Sequence, residues 1–206
     1  DISIDGLIVQ LPLPSHINEH VVIHSISEKK DVDGFHPINL GKMMLGLPCF
    51  LPATPFGIIT LMEEYGIETS GKNCLVIGRS NIVGKPMSVL MSRNTKFANA
   101  TVTLAHSKTK NILDFTMKAD IIIVALGKKH FLTSKMVKKG VIVIDVGINR
   151  IKSNTTKTGW KLVGDVDFES VKDKASFITP VPGGVGPMTI VSLLKNTFLV
   201  VFRLKL

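Results

Sequence analysis

Apolar and polar positions follow two different rhythms along the 206 residues, and the change falls near Gly71. Beyond it, short apolar-rich stretches recur at Asn73–Ile77, Ala100–Ala105, Ile121–Ala125 and Val141–Val146, and Ile121–Ala125 is an unbroken apolar run. Runs of this kind predict strands buried on both faces, as parallel strands are. The stretches between them predict short helices over 86–92, 112–118 and 132–138. Strand alternating with helix predicts βαβ units and an α/β fold built on a parallel sheet.

Before Gly71 the pattern is broken by prolines. Ile4 to Gln10 reads as a short buried strand stopped by Pro12 and Pro14. Ser15 is the expected cap of a helix ending near Ser25, and 30–39 is a polar loop. Thr54 is the expected cap of a helix from Pro55 to Tyr65, with Ile58, Leu61 and Met62 on one face. Residues 151–161 predict a surface hairpin or a disordered loop. Met188 to Lys195 predicts a last helix, followed by a very apolar end, Phe198 to Phe202, that needs something to pack against. The expected division is therefore 1–70, part of a smaller α/β domain; 71–180, a nucleotide-binding domain; and 181–206, a loop and helix returning to the first.

Composition narrows the partners. Hydrophobic residues make up 45% of the chain, enough for a sizeable core, and the formal charge of +9 favours anionic ligands. Nucleic acid, a phosphorylated cofactor and a polycarboxylate substrate all fit that charge. The densest lysines, Lys108/Lys110, Lys128/Lys129 and Lys135/Lys138/Lys139, have no aromatic residues interleaved with them. That argues against a nucleic-acid stacking platform. The two cysteines, Cys49 and Cys74, cannot form a disulfide scaffold and read as buried thiols of a reducing compartment. No apolar run reaches the roughly 18 residues of a membrane span, so no membrane partner is expected. The chain opens at Asp1 with no signal peptide to read.

Several motifs carry chemistry. Pro182 to Pro187 holds three glycines and two prolines ahead of the last helix. A stiff loop of bare backbone at a helix start suits an anionic or planar ligand, or is simply a tight turn. Gly78-Arg79-Ser80-Asn81-Ile82-Val83-Gly84 lies between a strand and a helix, where dinucleotide-binding folds cradle phosphates. Its glycines are too widely spaced for G-x-G-x-x-G, which implies a longer loop. Arg79 is placed to pair a 2′-phosphate, and Ser107 and Lys108 stand where NAD-specific folds carry an acid. Gln10 ends its strand as either an orienting amide or a backbone-bonded one. Asp31 and Asp33 before Gly34 read as a ligand-reading acid or a turn. His16, His20 and His24 are four apart, with no fourth metal ligand evident.

Together these stretches resemble the bifunctional methylenetetrahydrofolate dehydrogenase/methenyltetrahydrofolate cyclohydrolase family. The resemblance is carried by 5–14, 30–35, Pro52-Ala53-Thr54-Pro55, Gly78-Arg79-Ser80 with Val83-Gly84, 143–149, Gly164-Asp165-Val166 and the loop from Pro182 to Thr189. It implies a Rossmann-like NADP-binding domain and a homodimer acting on tetrahydrofolate derivatives in one-carbon metabolism and purine biosynthesis. The implied location is cytoplasmic, or mitochondrial if a transit peptide precedes Asp1. Asp33 is then the acid that holds the pterin ring and Gln10 the partner of the catalytic lysine. Pro182, Gly183 and Gly184 line the folate side. Gly78, Arg79 and Ser80 form the phosphate loop, Arg79 and Ser107 lie near the 2′-phosphate, and Ile148 is a backbone contact at the nicotinamide end. The family's Tyr-x-x-x-Lys arrangement precedes the Gln-Leu-Pro motif. Here nine residues precede Gln10, and none is Lys or Tyr. Within these residues alone, little cyclohydrolase and impaired dehydrogenase activity are expected. A non-catalytic NADP-binding module is the alternative. The tail from Phe198 to Leu206 is more apolar than the family's amphipathic last helix.

Overall fold

The computed structural model describes residues 1–202. Its centre is a parallel sheet of β1 (Asn73–Ile77), β2 (Thr101–Ala105), β3 (Ile121–Val124), β4 (Val141–Asp145) and β7 (Ala175–Ile178). The spatial order is β2-β1-β3-β4-β7. A separate antiparallel hairpin pairs β5 (Asn149–Lys152) with β6 (Trp160–Val163). The helices are α1 (Glu19–Ser25), α2 (Pro37–Leu45), α3 (Ala53–Glu64), α4 (Gly84–Ser92), α5 (Ile112–Thr116), α6 (Phe168–Val171) and α7 (Val185–Val201). Among the described residues no helix is long and apolar enough to cross a membrane.

The apolar-rich runs have a direct cause. Successive side chains of a strand point to opposite faces, and both faces of this sheet are covered. Cys74, Val76, Ile121, Ile123 and Ile144 pack on one side against Ile58, Met62, Met87 and Met91 from α3 and α4. Leu75, Ile77, Ile122, Val124 and Val143 pack on the other, against Leu132, Val137 and Val171. Helix α7 lies on α3, where a β-carbon on Gly57 would overlap the Met188 backbone. Their hydroxyls also meet, with Thr54 Oγ1 3.0 Å from Thr189 Oγ1.

Strand order places the site. From β1 the chain crosses to β2 on one side, then returns to β3 on the other, so the direction of winding reverses between β1 and β3. Ligands of open α/β sheets bind outside the carboxyl ends of the strands at such a reversal.

Several expected elements differ. Ile4 to Gln10 is not a buried strand. It makes one parallel bridge, Leu7 to Asp31, and Ile4, Leu7 and Ile8 are exposed. One bridge on one side covers neither face of the run. Helix α1 is capped by Asn18 rather than Ser15, its side chain accepting from the Val21 N–H at 3.3 Å. Helix α3 begins at Ala53 after Pro52, so Thr54 lies inside it with its hydroxyl turned to Thr189. Residues 132–138 form only a 3-10 turn, Ser134–Met136. The 151–161 stretch joins the two strands of a hairpin. Helix α2, started by Pro37 and capped by His36, was not legible, nor was β7, whose four residues are half exposed. The last helix runs longer than expected, from Val185 to Val201. Of the apolar tail, Phe198 and Phe202 stack with centroids 4.4 Å apart, and residues 203–206 lie outside the described residues.

Candidate functional site

The β1–α4 loop is built so that only glycine fits at both ends. Gly78 sits at φ +123, and a β-carbon there would overlap the Ala125 carbonyl at the end of β3. A β-carbon on Gly84 would overlap the Gly78 carbonyl. The loop therefore folds tightly across the winding reversal, with bare backbone at its closest points. Ser80 holds it from inside, its Oγ accepting from the Val83 N–H at 3.2 Å and the Gly84 N–H at 3.4 Å. Ser80's carbonyl accepts from the Lys85 N–H. Arg79, Ser80 and Asn81 are exposed at the loop's rim.

The neighbouring loop leaves β2. Ile77 and Ala105 are in register, and the Gly78 N–H donates to the Ala105 carbonyl at 2.9 Å, so the two loops emerge side by side. A tight turn follows, in which the His106 N–H donates to Thr109 Oγ1 at 2.9 Å. That turn presents Ser107 to solvent beside the Arg79 loop. Arg79, Ser107 and Lys108 are all exposed there.

Behind the far end of the sheet two buried aspartates frame the loops. Asp165 is fully buried and accepts four bonds, from the N–H groups of Leu126 at 2.6 Å, Gly127 at 2.9 Å and Lys128 at 2.7 Å and from Asn149 Nδ2 at 2.8 Å. It thereby fixes the course of the chain leaving β3. Asp145, at the end of β4, accepts from the N–H groups of Gly147, Asp165 and Val166. Its own N–H donates to Thr179 Oγ1 at 2.8 Å. Burial pushes the Asp145 carboxyl up to about 6, against the lowering effect of those three N–H donors and with the nearby Asp165 adding to the rise. Gly147 and Gly164 are required beside these carboxylates, since a β-carbon at either would overlap one of them.

The Pro-Gly loop starts α7. Pro182, Gly183 and Gly184 share a cavity of roughly 360 Å³ with Ile148 and with Leu162 of the hairpin. Ile148 is 64% exposed at the cavity's edge. The structure thus joins the expected nicotinamide-end contact to the expected folate-side loop.

Gln10 and Asp33 line neither of the two cavities that flank this loop. Gln10 is exposed, and its Nε2 donates to its neighbour's carbonyl on Leu11 at 3.1 Å. Asp33 is half-buried; burial first, and then the neighbouring Asp31, push its carboxyl up to about 6. Asp31 itself is buried, accepting from the N–H groups of Phe35 and His36 and from Asn39 Nδ2. The turn reading and the ligand reading of this pair thus divide between its members: Asp31 builds the turn, and Asp33 is left with a desolvated, unengaged carboxyl. His20 and His24 line one cavity, with His24 Nδ1 2.8 Å from the His20 carbonyl. Among the described residues no group of three or more His, Cys, Asp and Glu could hold a metal ion.

Residues 52–204 match the model of the tetrahydrofolate dehydrogenase/cyclohydrolase NAD(P)-binding domain, and residues 1–33 match that of the catalytic domain. The chain belongs to the tetrahydrofolate dehydrogenase/cyclohydrolase family. Among its relatives, the bifunctional protein FolD of Cytophaga hutchinsonii is 62% identical over 197 residues, covering 96% of this chain and 68% of the relative. The bifunctional FolD enzyme of Campylobacter jejuni superposes with a TM-score of 0.91 at 52% identity, covering 98% of this chain and 69% of that one. The Trypanosoma brucei dehydrogenase-cyclohydrolase, solved with NADP cofactor and inhibitor, superposes at 0.90 with 36% identity, covering 97% and 67%. The tetrahydrofolate dehydrogenase/cyclohydrolase fold thus carries an NAD(P)-binding domain in this chain, on the sheet described above.

Asp165, Asp145 and Asn149 were not singled out from sequence as framing residues. The signal was present in Asp145-Val146-Gly147 and Gly164-Asp165-Val166, where an acid stands beside a glycine at the end of an apolar run. A buried acid in that position needs backbone N–H partners, and glycine lets them close in.

Proposed function

We propose that this chain carries the NADP site and part of the folate site of a methylenetetrahydrofolate dehydrogenase/methenyltetrahydrofolate cyclohydrolase. The observation that carries the reading is the phosphate cradle. Two glycines admit no side chain, Ser80 holds the turn, and Arg79 and Ser107 leave adjacent strands at the reversal of winding. Gly78, Arg79 and Ser80 would hold the phosphates, with Arg79 and Ser107 at the 2′-phosphate and Ile148 at the nicotinamide end. NADP, when bound, supplies a hydride acceptor. The one-carbon bridge of 5,10-methylenetetrahydrofolate loses a hydride and becomes the methenyl cation. Water adds to that carbon, a proton leaves, and the ring opens to 10-formyltetrahydrofolate.

Asp33 would accept hydrogen bonds from the pterin ring in its ionised form, Gln10 would orient the catalytic lysine, and Pro182, Gly183 and Gly184 would line the folate side. We place the first domain at 1–70, the cofactor domain at 71–180 and the returning loop and helix at 181–206, in a homodimer. A second reading, a non-catalytic NADP-binding module, is favoured by Gln10 and Asp33 lining neither of the cavities that flank the Pro-Gly loop.

Calorimetric titration of the 206-residue chain with NADP and with 5-formyltetrahydrofolate separates the two. Saturable binding of both supports the enzyme reading. NADP binding without the folate favours the module, and binding of neither overturns both.

A further inference from the structure

Asn196 lies on α7, nearly three turns beyond the Pro-Gly loop, and is almost fully buried. Its Nδ2 donates to the Val32 carbonyl at 2.8 Å and to the Leu51 carbonyl at 3.1 Å. These two carbonyls belong to two loops that meet at Asp33. Val32 immediately precedes Asp33, and the Asp33 carbonyl accepts from the Ala53 N–H at 3.1 Å, two residues past Leu51. Gly34 closes the junction, at φ +75, where a β-carbon would overlap the Leu51–Pro52 backbone. One amide from a distant helix therefore pins both strands of backbone that carry the carboxylate. From the other side, Asp31 fixes the same turn through Phe35, His36 and Asn39.

The same helix carries the Pro182–Pro187 loop at its start and is tied to α3 through Thr189 and Thr54. Rigid helix joins these attachment points, at about 1.5 Å per residue. We propose that Asn196 is a positioning residue for the Asp33 carboxylate, and that α7 thereby sets the spacing between that carboxylate and the Pro-Gly loop. This rests on the reading of Asp33 as the acid that meets the pterin ring.

The first arm of the test needs no ligand. Asp33 is titrated by carboxyl-carbon NMR in the native chain and in Asn196→Ala, with its signal assigned by its loss in Asp33→Asn. Release of the clamp lets water reach the carboxyl, so its midpoint is expected to fall by about one unit toward the ordinary carboxylate range. The second arm is a double-mutant cycle on 5-formyltetrahydrofolate affinity. Asn196→Ala is expected to weaken binding about ten-fold in the native background and by less than two-fold in Asp33→Asn, because a positioning residue has nothing left to position. Asn196→Ser keeps one donor and gives smaller changes in the same direction, which carries the test if the alanine variant does not fold. An unmoved Asp33 midpoint, or equal losses in both backgrounds, overturns the proposal. A shifted midpoint with no folate binding by the native chain supports the clamp and overturns the substrate reading on which its purpose rests.

Discussion

Replacing Asp165 by alanine removes one carboxylate and strands four donors at once. The N–H groups of Leu126, Gly127 and Lys128 and the amide of Asn149 all lose their acceptor. Each buried donor left without a partner costs roughly 1–3 kcal/mol. A water entering the space left by the carboxylate would serve two of the four. With two donors rescued and two orphaned, the expected loss is about 2–6 kcal/mol, against a total of about 5–15 kcal/mol for a domain. Urea denaturation followed by far-ultraviolet circular dichroism measures it directly. The chain leaving β3 should also loosen, so NADP affinity in the still-folded fraction should fall by more than the stability loss alone explains. Asp165→Asn should fall between, since its oxygen still accepts while its amide faces N–H groups. An alanine variant within about 1 kcal/mol of the native chain would refute the view that this carboxylate frames the cofactor site.

The remaining expectations concern ligands. Gly84→Ala drives a β-carbon into the Gly78 carbonyl, and NADP affinity by calorimetry should fall by at least about ten-fold while the circular dichroism spectrum is kept. Arg79→Ala should reduce NADP affinity and leave NAD affinity alone, and an unchanged NADP/NAD ratio would show that Arg79 does not meet the 2′-phosphate. Asp33, raised from 3.8 to about 6, gives opposite signs for stability and binding. Its raised value favours the protonated fold, a contribution fully present below the ordinary value and lost as pH rises through about 6. Folate binding, which uses the carboxylate, should instead weaken as pH falls through about 6. Asp33→Asn should flatten that profile, and an identical pH dependence in both proteins would exclude the assignment.

The sheet was legible because β1, β3 and β4 are buried on both faces, which writes apolar-rich runs into the sequence, while the edge strand β2 shows an alternating pattern instead. The β1–α4 loop was legible from its place between such a run and a helix, although its glycine spacing matches no generic fingerprint. Strand β7 was not, because Ala175–Ile178 is short and half exposed at the edge of the sheet. Helix caps were misplaced where several candidates compete. Ser15 and Asn18 both suit a cap, and only the bond to Val21 decides between them. The roles of Asp165 and Asn196 depend on partners 37–39 and 145–164 residues away. No local pattern encodes contacts of that range.

The central claim is that the β1–α4 loop, with Arg79 and Ser107, forms an NADP site. Calorimetric titration of the chain with NADP and, separately, with NAD tests it most directly. The account predicts saturable one-to-one NADP binding, at least about ten-fold tighter than NAD. Equal affinity for the two, or no binding of NADP, would contradict it.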